Sequence, residues 1–173
     1  LFFNLSAFDS ALYYQENALK YYRLYQDKRG EAITFNNIGS IYIKIGRYKD
    51  GIKSFQDALK IFEETDNKAG IASCMLNIGN IYTNMGNYND TSQNNNALYY
   101  YKQALDLFTE LDFKFDVGSS YNNIGTQYNQ KAAIYTDHIN KSKNQEKKKL
   151  FEKIADKYFN LALDNYLQAL ETY

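Results

Sequence analysis

Proline and tryptophan are absent from this chain of 173 residues, and cysteine occurs once. The lack of proline leaves long helices free of the ring that removes a backbone donor and clashes with the preceding turn. A lone Cys74 excludes an internal disulfide and makes a reducing setting the default. The location expected is therefore cytoplasmic (intracellular), and a cytoskeletal or other large assembly is one setting that stays open. Within a helix, Cys74 reads as a small buried hydrophobe. Lysine plus arginine (20) equals aspartate plus glutamate (20), so no bulk field draws nucleic acid or an anionic membrane, and no nucleic-acid partner is expected. No apolar run reaches the ~18 residues of a membrane span, and no charged-then-apolar leader opens the chain. The first residue is Leu1 rather than methionine, from which a piece of a longer chain is expected. The single histidine, His138, has no second ligand at metal spacing and reads as a surface residue. There is no glycine-rich phosphate loop and no nucleophile with a candidate base, so neither catalysis, a cofactor nor a metal is expected.

What the chain does have is 18 tyrosines, 11 phenylalanines and an internal repeat. Phe35-Asn36-Asn37-Ile38-Gly39-Ser40-Ile41-Tyr42 returns 40 residues later as Met75-Leu76-Asn77-Ile78-Gly79-Asn80-Ile81-Tyr82. A third copy, Tyr121-Asn122-Asn123-Ile124-Gly125-Thr126-Gln127-Tyr128, follows 46 residues after that. Self-similarity at such a period means stacked supersecondary units. Phe35, Ile38, Tyr42 and Ile45 recur at the spacing of one helical face, and Gly46 closes that helix. A second helix carries Ile52, Phe55, Leu59 and Phe62 on its apolar stripe. Gly39 sits in mid-helix at a cost of ~1 kcal/mol against alanine, which is explained if another helix packs against its bare backbone.

On this period the chain divides into a partial repeat over 1–30, a repeat over 31–70, a third over 71–116 and a fourth over 117–173. Leu1 to Leu5 read as the tail of a first helix, with Ser6 at the place of Gly46 and Gly86, and the second helix running over 8–27. The third repeat carries an asparagine-rich insertion over 90–96. Lacking an apolar face, it is expected to be a solvated loop. Of Tyr99, Tyr100 and Tyr101 behind it, only Tyr101 matches Phe55 and is expected in the core. The fourth repeat holds the larger insertion. Ala132, Tyr135 and Ile139 continue one apolar stripe, while Leu150, Ile154 and Tyr158 extend another backwards. Together they read as a helical hairpin elongated over about 131–155, tipped by Lys141, Lys143, Lys147, Lys148, Lys149 and Lys153. Those lysines read as a solvated face.

These residues resemble the tetratricopeptide repeat. Its first-helix signature, an aromatic followed by Leu-Gly and then Tyr, is matched by Phe35/Ile38/Gly39/Tyr42, Met75/Ile78/Gly79/Tyr82 and Tyr121/Ile124/Gly125/Tyr128. Gly51/Phe55/Ala58, Ala97/Tyr101/Ala104 and Ala162/Tyr166/Ala169 match its second-helix signature. The usual unit has 34 residues and a proline. The longer, proline-free unit here is similar to the repeats of kinesin light chains and polarity adaptors. The resemblance implies an all-α fold: a right-handed superhelical solenoid of antiparallel helix pairs, whose first helices line a concave groove that holds a partner's extended peptide or helix.

Helical geometry names the groove positions. If Phe35, Ile38 and Tyr42 face inward, Ile33, Asn37, Ser40 and Lys44 share another stripe, flanked by Asn36 and Ile43. The third-repeat set is Ser73, Leu76, Asn77, Asn80, Thr83 and Asn84. The fourth is Ser119, Asn122, Asn123, Thr126, Asn129 and Gln130. Only Lys44 is charged, so neither a carboxylate clamp of the chaperone-binding kind nor a phosphate-rich partner is expected. Asn37, Asn77 and Asn123 repeat at one place. Each amide offers donors and an acceptor, either to a peptide backbone or to the adjacent helix. The leading reading is a non-enzymatic scaffold for a protein partner. The alternatives are a regulatory segment of a larger signalling enzyme, or a structural subunit docking through the elongated hairpin. Since the chain starts within a repeat and ends on Leu170 and Tyr173, further repeats or neighbouring subunits are expected to cover its ends.

Overall fold

A computed structural model describes residues 2–86 and 91–172. Among them are seven helices and no strand: α1 (Phe2–Leu24), α2 (Lys28–Lys44), α3 (Tyr48–Glu64), α4 (Lys68–Met85), α5 (Thr91–Glu110), α6 (Lys114–Lys141) and α7 (Gln145–Thr172). The chain forms two compact units, one of residues 1–81 and one of residues 82–173, with the boundary inside α4.

Local chemistry sets the turns. After α2, Gly46 adopts φ 75°, and Arg47 N–H returns to Tyr42 O at 2.9 Å. The turns after α1, α3 and α5 close the same way, through Asp27 N–H to Tyr22 O, Asn67 N–H to Phe62 O and Phe113 N–H to Phe108 O. There the left-handed residue is Gln26, Asp66 or Asp112. This is the common left-handed helix ending, which satisfies carbonyls the helix leaves unpaired. Asp27 Oδ1 then accepts from Gly30 N–H at 2.8 Å, and Asn67 Oδ1 from Gly70 N–H at 2.9 Å, capping α2 and α4.

In the first unit, α2 lies against α3 with the backbone of Gly39 under the Phe55 ring. A Cβ at Gly39 would stand 2.8 Å from that ring, and Phe55 is wholly buried. Ile38, Ala58 and Phe62 complete this core. In the second unit, Gly125 of α6 takes the same place under Tyr166 of α7, where a Cβ would also stand 2.8 Å from the ring. Tyr101, Ala104, Phe108 and Ile124 are buried there. Tyr99 is exposed and Tyr100 half-buried, the latter stacked on Tyr82 at 5.6 Å.

Two sequence expectations are corrected. The period places a helix end at Ser6, yet α1 runs unbroken from Phe2 to Leu24. Serine stands there in place of the glycine that turns at φ 75° after α2, and the helix continues through it. Residues 91–96, expected as a solvated loop, instead open α5. Residue 90 lies outside the described residues. Aligned with α3, α5 starts about one turn earlier.

The fourth repeat is a hairpin of two 28-residue helices joined by residues 142–144. Its distal seam is aromatic: Tyr158 stacks on Tyr128 at 6.2 Å and on Tyr135 at 5.7 Å, and Phe151 meets His138 at 5.4 Å. Asn144 Oδ1 caps α7 through Lys147 N–H at 3.0 Å.

Gly39→Ala should therefore lower stability, by up to about 2 kcal/mol. Overpacking a closed core costs about 1–3 kcal/mol, which outweighs the ~1 kcal/mol gained in helix propensity. Urea unfolding of the two proteins measures the difference, and an unchanged midpoint would contradict the close approach described.

Candidate partner-binding surface

The asparagines singled out by the repeat are placed differently from one another. In the first unit, Asn37 is exposed on α2, and its Nδ2 donates to Gln15 Oε1 of α1 at 3.4 Å. Asn77 of α4 is half-buried and donates through Nδ2 to Asn36 Oδ1 at 3.4 Å. Asn36 Oδ1 also accepts from Cys74 Sγ at 3.7 Å. Two of the three repeated amides thus reach a neighbouring helix through bonds at the long end of the useful range. Each uses one side of its amide. Ser40 Oγ donates to Asn36 O at 3.0 Å, Asn80 is half-buried, and Lys44 is exposed.

In the second unit, Asn84, Asn122 and Asn129 are exposed, while Asn123, Thr126 and Gln130 are half-buried. Thr126 Oγ1 donates to Asn122 O at 3.0 Å and accepts from Tyr166 OH at 3.4 Å. Gln130 Oε1 accepts from Asn94 Nδ2 at 3.4 Å.

That last bond belongs to a polar network that the groove reading missed. Asn94, in the asparagine-rich segment, is buried, and its Nδ2 also donates to Gln127 Oε1 at 3.0 Å and Gln127 O at 3.1 Å. Gln127 is 1 % exposed, and its Nε2 donates to Thr83 Oγ1 at 3.0 Å. Thr83 Oγ1 shares a further bond with Tyr101 OH at 2.8 Å. A signal for this existed in the sequence. Gln127 stands where the earlier copies have Ile41 and Ile81, so an amide replaces an isoleucine facing the core. Burying it requires partners, since an unpaired buried amide costs about 1–3 kcal/mol. The inserted segment supplies one through Asn94, and α4 supplies the other through Thr83. Asn94 Oδ1 itself is buried with no partner among the described residues.

Chemically the surface is one of amides and hydroxyls. No group of histidine, cysteine or carboxylate ligands suited to a metal occurs among the described residues. No described helix is long and apolar enough to cross a membrane. Burial pushes the Cys74 thiol up to about 12 and, in the same direction, the Tyr101 phenol up to about 12. A cleft lined by Arg23, Lys28, Glu31, Asp57, Lys60 and Glu64 balances three cations with three carboxylates, and Arg23 Nε lies 2.9 Å from Glu31 Oε1. On α7, Phe159, Leu163, Leu167 and Leu170 form an exposed apolar stripe, with Leu170 72 % exposed. Leu98, the repeat equivalent of Leu163 on α5, is buried. Tyr173 lies outside the described residues.

Paired helices that repeat a glycine-under-aromatic contact define the class. Tetratricopeptide repeats are present in this chain: family models of that description match residues 30–90 and 71–111. Its all-α solenoid fold is similar to the crystal structure of BtubC (BKLC) from P. vanneervenii. The TM-score is 0.64 with 19% sequence identity, covering 98% of this chain and 74% of that one. The long-unit variety similar to kinesin light chains is consistent with these family matches. No curated protein matches the chain.

Two measurements check this geometry. Gln127→Ile should cost about 1–3 kcal/mol by stripping a buried acceptor from Asn94. Replacing Asn94 by leucine in the same chain should recover part of that loss, and a double-mutant cycle showing strict additivity would contradict the network. Cys74, held protonated near neutral pH, should react with a disulfide reagent at least about a hundredfold more slowly in the native chain than in denaturant. The folded thiol titrates at about 12 against 9.0 in the open chain. The stability gained from burying it is full below pH 9.0 and is lost as pH rises through that window.

Proposed function

We propose that this chain is a non-catalytic scaffold that holds an extended segment of a protein partner along the polar stripes of its first helices. Repeats of this family generally mediate protein–protein interaction, and they are typically non-catalytic. The observation that carries the reading is the neutrality and amide content of those stripes. In the first unit they present Asn36, Asn37, Ser40, Asn77 and Asn80, with Lys44 the one charge. In the second they present Asn84, Asn122, Asn123, Thr126, Asn129 and Gln130. An amide matches both the N–H and the C=O of an extended backbone, so such a surface grips main chain and leaves flanking residues to discriminate. The bonds of Asn37 and Asn77 to neighbouring helices support pre-set side-chain orientation. They leave both carbonyl oxygens without partners among the described residues. On this reading the partner is a protein segment with few charges, and no nucleic acid or phosphate-rich ligand is taken. The exposed stripe of Phe159, Leu163, Leu167 and Leu170 is taken by a further repeat or a neighbouring subunit. The place of work is cytoplasmic.

Selection from a displayed peptide library tests this. Wild-type protein should enrich a peptide family, and the Asn37→Ala/Asn77→Ala/Asn123→Ala variant should lose that enrichment while keeping its helical circular dichroism. Undiminished binding by the triple variant would place recognition elsewhere.

A further inference from the structure

The second unit holds a cationic cluster outside the groove stripes. Lys131 on α6 stands where the two earlier copies have Ile45 and Met85, one turn beyond Gln127. Both positions where α6 abandons the repeat's apolar pattern face the inserted segment. Gln127 meets Asn94, and Lys131 Nζ lies 2.6 Å from Asn95 Oδ1. The Lys131 ammonium is half-buried and sits 5.5 Å from the Tyr158 ring centroid. Lys102 of α5 sits 5.6 Å from the centroid of Tyr128, and those two rings stack at 6.2 Å and 19°. Neither lysine has a carboxylate partner among the described residues. Elsewhere Arg23, Arg47 and Lys141 each pair with an acid. Burial, and then the repulsion of Lys102, lowers the pKa of Lys131.

We propose that Lys102 and Lys131, set on the tyrosine faces beside Asn95, form a site for the carboxylates of an acidic peptide segment. An unneutralised pair of cations with one member half-buried is costly, and a facing anion offsets both the repulsion and the desolvation. Lys131 spends one of its three N–H donors on Asn95 and keeps two for a ligand. The chemistry favours carboxylates over a phosphate, because the cluster has no arginine fork to match phosphate geometry. It favours a chain over an anionic lipid surface, because a half-buried ammonium is reached by a protruding side chain, whereas a flat surface would engage the exposed Lys147 and Lys149 at the hairpin tip. The site is independent of the amide stripes and stands or falls without them.

Fluorescence anisotropy with labelled hexaglutamate, and with hexaglutamine as the neutral probe, tests this on the whole chain. Hexaglutamate should bind in a salt-sensitive manner and hexaglutamine should not. Lys102→Gln/Lys131→Gln should weaken binding at least about tenfold, and Lys147→Gln/Lys148→Gln/Lys149→Gln by less than about threefold. Lys131→Met restores the residue type of the earlier repeats, so it should keep or raise the melting temperature while still weakening the peptide. Three results would overturn the proposal: undiminished binding by both Lys131 variants, a larger loss from the tip variant, or binding to phosphatidylserine vesicles with none to hexaglutamate. The triple asparagine variant should bind hexaglutamate as wild type does, which separates this site from the groove.

Discussion

The contact on which both units depend sets a bare glycine backbone against the face of an aromatic ring. Gly39 under Phe55 and Gly125 under Tyr166 bring paired helices closer than any side chain would allow. The ring gains dispersion contacts across its whole face, and burying an aromatic contributes more apolar area than any other side-chain choice. That closeness outweighs the helix propensity lost at each glycine. It also fixes rotation. Once the glycine faces the ring, the inward residues of each first helix are decided, and so are the positions left over for recognition.

Departures from this pattern gather in the second unit and are mutually consistent. An isoleucine position becomes Gln127, an Ile/Met position becomes Lys131, and the segment that meets both is an insertion rich in asparagine. Each change alone would bury an unmatched polar group. Together they exchange apolar packing for a hydrogen-bonded network reaching from Asn94 through Gln127 to Thr83 and Tyr101. Such a network contributes little net stability but constrains geometry tightly, because any shift leaves a buried group unpaired. The distal hairpin departs differently, lengthening its helices along a seam of stacked rings that keeps Lys131 and Lys102 over tyrosine faces.

In the proposals above, the polar stripes grip main chain and the lysine pair is an independent site for acidic side chains. These two chemistries place different demands on a partner. The first needs an extended main chain and tolerates varied sequence, while the second needs charge and weakens with salt. A partner bearing both an uncharged extended stretch and an acidic one would satisfy them together.

Much of the fold was legible in the residues. Ile38-Gly39 and its copies, with Phe55, Tyr101 and Tyr166 at matched places, specify a helix pair whose interface follows from helical periodicity and steric size. Those are local facts repeated three times, so a single sequence carries them. The asparagine-rich segment was misread because its composition resembles a solvated loop. Whether Asn94 faces water or an amide depends on Gln127, 33 residues away. The helix end placed at Ser6 failed for a related reason, since aligned positions do not ensure aligned turns when serine replaces glycine. The orientations of Asn36, Asn37 and Asn77 likewise depend on which helix lies alongside. The sequence by itself determined the repeated helix pair and its core, because those follow from spacing and volume. Only the tertiary structure decided which polar side chains are paired inside, since a hydrogen bond needs a partner brought close by the fold.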